Sequence, residues 1–149
     1  MATVHYPNFD YVSSGVKCNI SMNTLNERID RAQYWLDNQI MTDMVPLMPF
    51  RTGIFINLTR MNTASTAGTG EIFAAAPPYG RFLYYGKVMV DPETGSPWAR
   101  KGAKKVVTDR PLRFGYPQAV PQWFEVAKQQ HLQEWISGAN DIIGGVVNV

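Results

Sequence analysis

The sequence predicts an α+β fold: a small antiparallel or mixed sheet with a long N-terminal helix and a C-terminal helix packed on it. Three observations lead there. Residues 24–45 carry a helical apolar repeat, residues 52–114 hold short alternating stretches broken by glycine and proline, and residues 121–138 return to a wide helical stripe. Helices that flank a block of strands, instead of alternating with them, give a segregated α+β architecture. A length of 149 residues suits one domain. We divide the chain into an N-terminal arm (1–22), one α+β domain (23–138) and a C-terminal tail (139–149).

The arm is polar and mixed, with one short strand expected at residues 16–20. In the first helix Leu25, Ile29, Ala32, Leu36, Ile40 and Met44 recur every three or four residues, one face of a 3.6-residue period. Thr24 and Glu27 have capping-box spacing. Pro46 and Pro49 end the helix, because proline has no amide to donate and clashes with the preceding turn. Arg28, Arg31, Asp37 and Asn38 fall on the opposite face, read as solvated or partner-facing.

Residues 52–60 alternate Ile54, Ile56 and Leu58 against Phe55, Asn57 and Thr59, the period of a strand. Residues 62–70 then read as a hairpin loop and 71–76 as the returning strand, ended by Pro77 and Pro78, which cannot join a ladder. Tyr79, Phe82, Tyr84 and Tyr85 make a dense aromatic turn closed by Gly86. A short strand follows at 87–90, then a turn-rich loop at 91–99, then a strand within 104–114 interrupted by Pro111. Residues 115–121 are a linker. Trp123, Phe124, Ala127, His131, Leu132, Trp135 and Ile136 form the second helix, with Pro121 in its first turn and Gly138 as its stop.

Charged residues are only 17% of the chain and hydrophobic ones 45%. That composition excludes wholesale disorder. It also points to surface covered by something other than water. The net charge of +2 does not by itself mark a nucleic-acid binder. The single cysteine, Cys18, excludes an internal disulfide framework and a cysteine-rich zinc site. No apolar run reaches the ~18–20 residues of a membrane span, and residues 1–10 lack the pattern of a secretion signal. A soluble intracellular chain without membrane contact, or one that ends inside an assembly built in the cytoplasm, is expected.

Catalysis is poorly provided for. His5 and His131 have no cysteine, aspartate or second histidine at ligand or nucleophile spacing, and no phosphate loop or serine elbow is present. No metal and no cofactor is expected. His131 on an apolar helix face reads as a packing residue and Cys18 as a lone thiol. Asp91 and Glu93 share a loop, where a cation site and a proline turn compete as readings; the turn explains them more cheaply. The sharpest charge feature is a basic strip, Arg100, Lys101, Lys104, Lys105, Arg110 and Arg113, with Asp109 among them. Such a strip suits an acidic neighbouring subunit or DNA in a channel, or simply a solvated strand edge. The aromatic turn, with Trp98, Trp123 and Trp135, suits core packing and inter-subunit contact. Tyr79, Arg81, Phe82 and Tyr85 are its candidate contact residues.

Three segments together carry a resemblance: Pro78-Tyr79-Gly80-Arg81-Phe82-Leu83-Tyr84-Tyr85-Gly86-Lys87-Val88-Met89-Val90-Asp91, then Thr94-Gly95-Ser96-Pro97-Trp98-Ala99-Arg100-Lys101, then Gln122-Trp123-Phe124-Glu125 running on to Trp135. Asp43-Met44-Val45-Pro46 and Thr52-Gly53 add to it. Over roughly residues 24–136 the chain resembles the minor capsid protein family of long-tailed phages that infect Gram-positive bacteria, a group similar to tail-completion or head–tail joining proteins. The resemblance implies a non-enzymatic virion protein of the neck. It implies a ring, often of six copies, joining the portal and head-completion assembly to the tail terminator or tail tube. The expected partners are further copies of this chain, those neighbouring virion proteins and genomic DNA in the channel. The loop at residues 63–70 is then expected to project toward a partner ring. A tail terminator capping the tube is the first rival, and a single-stranded nucleic-acid-binding module the second. A small hydrolase ranks last.

Overall fold

The structure is a computed structural model that describes residues 4–77 and 80–144. Its elements in chain order are β1 (Phe9–Ser13), β2 (Val16–Ile20), α1 (Asn23–Met44), α2 (Ile54–Ser65), α3 (Gly80–Tyr85), β3 (Lys87–Val90), β4 (Val106–Pro111) and α4 (Trp123–Gly144). A single 3-10 turn, Val45–Leu47, follows α1. The fold is α+β, as expected. The strands form two separate two-stranded antiparallel sheets, β1–β2 and β3–β4, rather than one sheet carrying the helices. The long helices α1 and α4 pack chiefly on one another.

The apolar row of α1 is where the core begins. Ala32, Ile40, Met41 and Met44 are buried, and Met48, Trp123, Ala127 and Trp135 close over them. Both buried tryptophans satisfy their indole N–H. Trp123 donates to the Ala74 carbonyl and Trp135 to the Asp43 carboxylate, each at 2.7 Å. Phe55 and Tyr84 meet Trp123 edge-on, with ring centroids 5.8 and 5.0 Å away. Phe124 stacks on Trp135.

The expected capping box at Thr24 and Glu27 does not form. The cap position is Met22, which has no side-chain oxygen to offer. The chain before the helix supplies acceptors instead: Met22 N–H donates to Asn8 Oδ1 and Asn23 N–H to Ser21 Oγ.

Within the strand expected at 52–60, residues from Ile54 on are helix, so the hairpin loop and the returning strand expected at 62–76 are also corrected. Gly53, at φ +79°, turns the chain into α2, and Asn57 N–H closes the first turn on its carbonyl. The buried side of α2 is Ile56, Thr59 and Thr63. Thr63 Oγ1 bonds both the carbonyl and the amide of Phe73, and Thr59 Oγ1 accepts from Ala76 N–H. The threonine hydroxyls thus do for residues 71–76 what a neighbouring strand would have done.

Asp37 is not on a solvated face. It is 1% exposed. Its Oδ2 accepts the amides of Gly68 and Gly70 at 2.7 and 3.1 Å, and its Oδ1 accepts Gln33 Nε2 at 2.7 Å. One carboxylate therefore folds the loop after α2 back onto α1, and the expectation that residues 63–70 project outward is corrected with it.

Gly138 does not stop α4, which runs on to Gly144. The missing side chain admits the Trp35 ring instead: a Cβ there would lie 2.7 and 2.8 Å from Trp35 Cζ2 and Cζ3 and would meet Cη2 as well. Pro121 lies before the helix, where Gln122 takes a φ of +52°. β3 falls where the sequence places it, and β4 occupies the middle of its expected span, with Pro111 as its last residue.

Candidate functional site

The aromatic turn divides by direction. The short helix α3 points Leu83 and Tyr84 toward the core and Arg81 and Tyr85 away from it. Gly86, at φ +61°, ends the helix and starts β3. Its carbonyl accepts Leu112 N–H, and the Tyr84 carbonyl accepts Gln122 N–H, tying the turn to the strand edge and to the start of α4. Burial pushes the Tyr84 hydroxyl above its ordinary pKa, with Glu125 and Tyr85 adding to the shift. Arg81, Phe82 and Tyr85 line a pocket of about 350 Å³ with Lys87, Met89 and Val107. The structure thus brings together three of the four expected contact residues of this turn; Tyr79 lies outside the described residues.

Trp98 is the most exposed large hydrophobic side chain among the described residues, at 84%. It is nevertheless held by an ordered clasp. Asp91, fully buried, closes residues 91–100 into a loop. Its Oδ2 accepts Arg100 N–H at 3.1 Å and Nε–H at 3.0 Å, and its Oδ1 accepts the amides of Glu93 and Thr94 at 2.9 and 3.3 Å. Asp91 N–H donates to the Ser96 carbonyl, and Gly95 N–H returns a bond to the Asp91 carbonyl. Arg100 Nη1 also binds Glu93. The Arg100 guanidinium, helped by the Arg100 and Glu93 amides, holds the Asp91 carboxyl well below the usual carboxylate range. Inside the loop Trp98 N–H donates to Ser96 Oγ at 3.1 Å. The turn reading of Asp91 and Glu93 therefore stands over the cation reading: both carboxylates are occupied by Arg100.

Arg100 thereby leaves the basic strip, since its charge is spent on Asp91 and Glu93. Lys101, Lys104, Lys105, Arg110 and Arg113 are all exposed. Among the described residues none of the five has a carboxylate within salt-bridge distance. Trp123 and Trp135 are buried, so of their two expected roles the structure places them in the core. His131 bonds Glu134 one turn on, a local contact. Among the described residues no group of three or more possible metal ligands occurs, and no helix is long and apolar enough to cross a membrane.

Two features escaped the sequence reading. One is the Asp91–Arg100 clasp, signalled only by an acid and an arginine bracketing a Pro-Glu-Thr-Gly-Ser-Pro turn. The other is β1, signalled by Ser14-Gly15 between two alternating stretches; both residues take positive φ, as a tight hairpin turn requires.

In comparisons with known proteins, a sequence family described as minor capsid protein matches residues 12–141, from β1 into α4. No curated protein and no solved structure matches the chain.

Proposed function

The chain belongs to the minor capsid protein family, which makes it a structural protein of a phage virion, and from that premise we propose that it forms a ring at the head–tail junction. The ring, of six copies, joins the portal and head-completion assembly to the tail terminator or tail tube of a long-tailed phage of a Gram-positive host. Its role is mechanical and not enzymatic, as a structural family suggests.

The observation that carries this reading is Trp98. This tryptophan is exposed to 84%, and tryptophan is among the residues that most often dominate an interface. The Asp91 clasp fixes the loop before any partner arrives, so little ordering entropy opposes docking. Tyr85 and Arg81 extend the same kind of surface on α3. The five exposed cations of the basic strip supply a long-range field that suits an acidic neighbour or the DNA channel.

The test is a phage carrying Trp98→Ala. Loss of an interface hot spot costs ~2 kcal/mol or more, about 30-fold in affinity at each contact. Full heads and unattached tails should accumulate, while the purified variant keeps the wild-type melting temperature. Normal yields of joined particles would refute the assignment.

A further inference from the structure

The β1–β2 hairpin and helix α2 each leave an apolar face uncovered. All ten strand residues of the hairpin are exposed. Its register pairs Phe9 with Ile20, Tyr11 with Cys18 and Ser13 with Val16, so these six share one face. That face is uncharged, and its Phe9 and Tyr11 rings lie parallel, 6.5 Å apart. Asp10, Asn19, Val12 and Lys17 take the other face, where Asn19 bonds Asp10. Among the described residues the side-chain hydrogen bonds that tie the ribbon to α1 lie at its base. Tyr6 exchanges two backbone bonds with the Asn26 side chain, His5 meets Asp30, and Asn8 accepts Met22 N–H. A two-stranded ribbon standing free in water is marginal and needs a surface to pack on.

Helix α2 buries Ile56 with two threonines and also carries apolar side chains on its outer side. Its threonines face inward, and Ile54, Leu58 and Met61 face outward at spacings of four and three, a single row. Phe50, also exposed, lies against Gly53 just before the helix and meets the Tyr116 ring edge-on. No charge falls within the row. The row is ~10 Å long from Ile54 to Met61, and the hairpin face is ~13 Å long.

We propose that the aromatic face of the β1–β2 hairpin of one copy docks on the Ile54–Leu58–Met61 row of α2 in the next copy. The inference rests on the reading of this chain as a self-assembling virion protein. With about half of each large apolar side chain free, the two faces together offer roughly 800 Å² of apolar surface. A standard interface of ~1,600 Å² uses about that much apolar area. The hairpin stands at the start of α1. The α2 row lies beside the other half of α1, to which Asp37 holds the loop after α2. Two different patches of one molecule make a head-to-tail contact, the kind that gives a ring when the rotation between copies closes.

Cys18, the only cysteine, lies on the docking face and is exposed. It therefore reports the contact directly. In the full-length Met61→Cys variant, mild oxidation should give a ladder of disulfide-linked multimers on a non-reducing gel. Wild type and a Cys18→Ser/Met61→Cys double variant should give none. Independently, Tyr11→Asp and Leu58→Glu, both at exposed positions, should each sediment as monomers. Their mixture should form a one-to-one dimer and nothing larger, because one intact hairpin meets one intact row. If wild type is oligomeric but Met61→Cys gives no ladder, or Ile136→Cys, in the apolar groove that Leu36 and Ile40 of α1 form with Leu132 and Ile136 of α4, gives one instead, the docking site is overturned and the ring reading stands. Wild type that stays monomeric at high concentration overturns both.

Discussion

Replacing Gly138 by alanine sets two effects of opposite sign against each other. In the interior of an exposed helix the change is favourable by ~1 kcal/mol, because glycine loses more backbone freedom on folding. Here the new methyl would meet three atoms of the Trp35 ring, two of them at 2.7 and 2.8 Å. Such separations demand movement of a rigid indole or of the α1–α4 spacing. Overpacking of this kind costs typically ~1–3 kcal/mol, and contact with three atoms of a rigid ring argues for the upper end. The net expectation is a loss of ~2 kcal/mol. For a chain of this size that lowers Tm by about 5–8 °C, read by thermal unfolding followed by circular dichroism. Trp35→Ala in the same background removes the obstacle, so the alanine at 138 should then stabilise. A Gly138→Ala protein that melts above wild type would refute the close α1–α4 approach.

Asp37→Ala removes three hydrogen bonds from a buried carboxylate, among them those it accepts from the Gly68 and Gly70 amides. Hydrogen bonds to a charged group are worth ~1.5–3 kcal/mol each before relaxation, so a loss of ~3–5 kcal/mol is expected in urea unfolding; a loss under ~1 kcal/mol contradicts the anchor. Asp91 gives a pH signature. Its carboxyl is held below the ordinary 3.8 in the folded chain, so below about pH 4 the unfolded chain binds more protons than the folded one. The clasp's contribution is full above that pH and drains away as pH falls further. Tm measured from about pH 5 to 2 should therefore fall more steeply for wild type than for Asp91→Asn, and parallel curves would count against the clasp.

The parts of this fold that the sequence announces are those whose causes are local. Six apolar residues at helical spacing mark α1, and Gly86 marks the boundary between α3 and β3. The misread parts have distant causes. Ile54, Ile56 and Leu58 alternate as a strand does, and only the backbone of residues 73 and 76, which occupies the threonine hydroxyls, lets Thr59 and Thr63 join Ile56 on the buried side of a helix. Asp37 looks like a surface acid because its partners lie 31 and 33 residues ahead. Gly138 looks like a stop because the Trp35 ring that needs the space is on another helix. Of the candidate site, Arg81, Phe82 and Tyr85 were legible as a local cluster. Arg100 reads as one more cation of the basic strip because its commitment to Asp91 depends on how the loop closes.

The central claim is tested most directly by a high-resolution density map of the intact virion. The account predicts a closed ring of this chain between the portal assembly and the tail tube, with Trp98 buried against a neighbouring subunit. Density for the chain elsewhere in the particle, or a ring that leaves Trp98 in solvent, would contradict it.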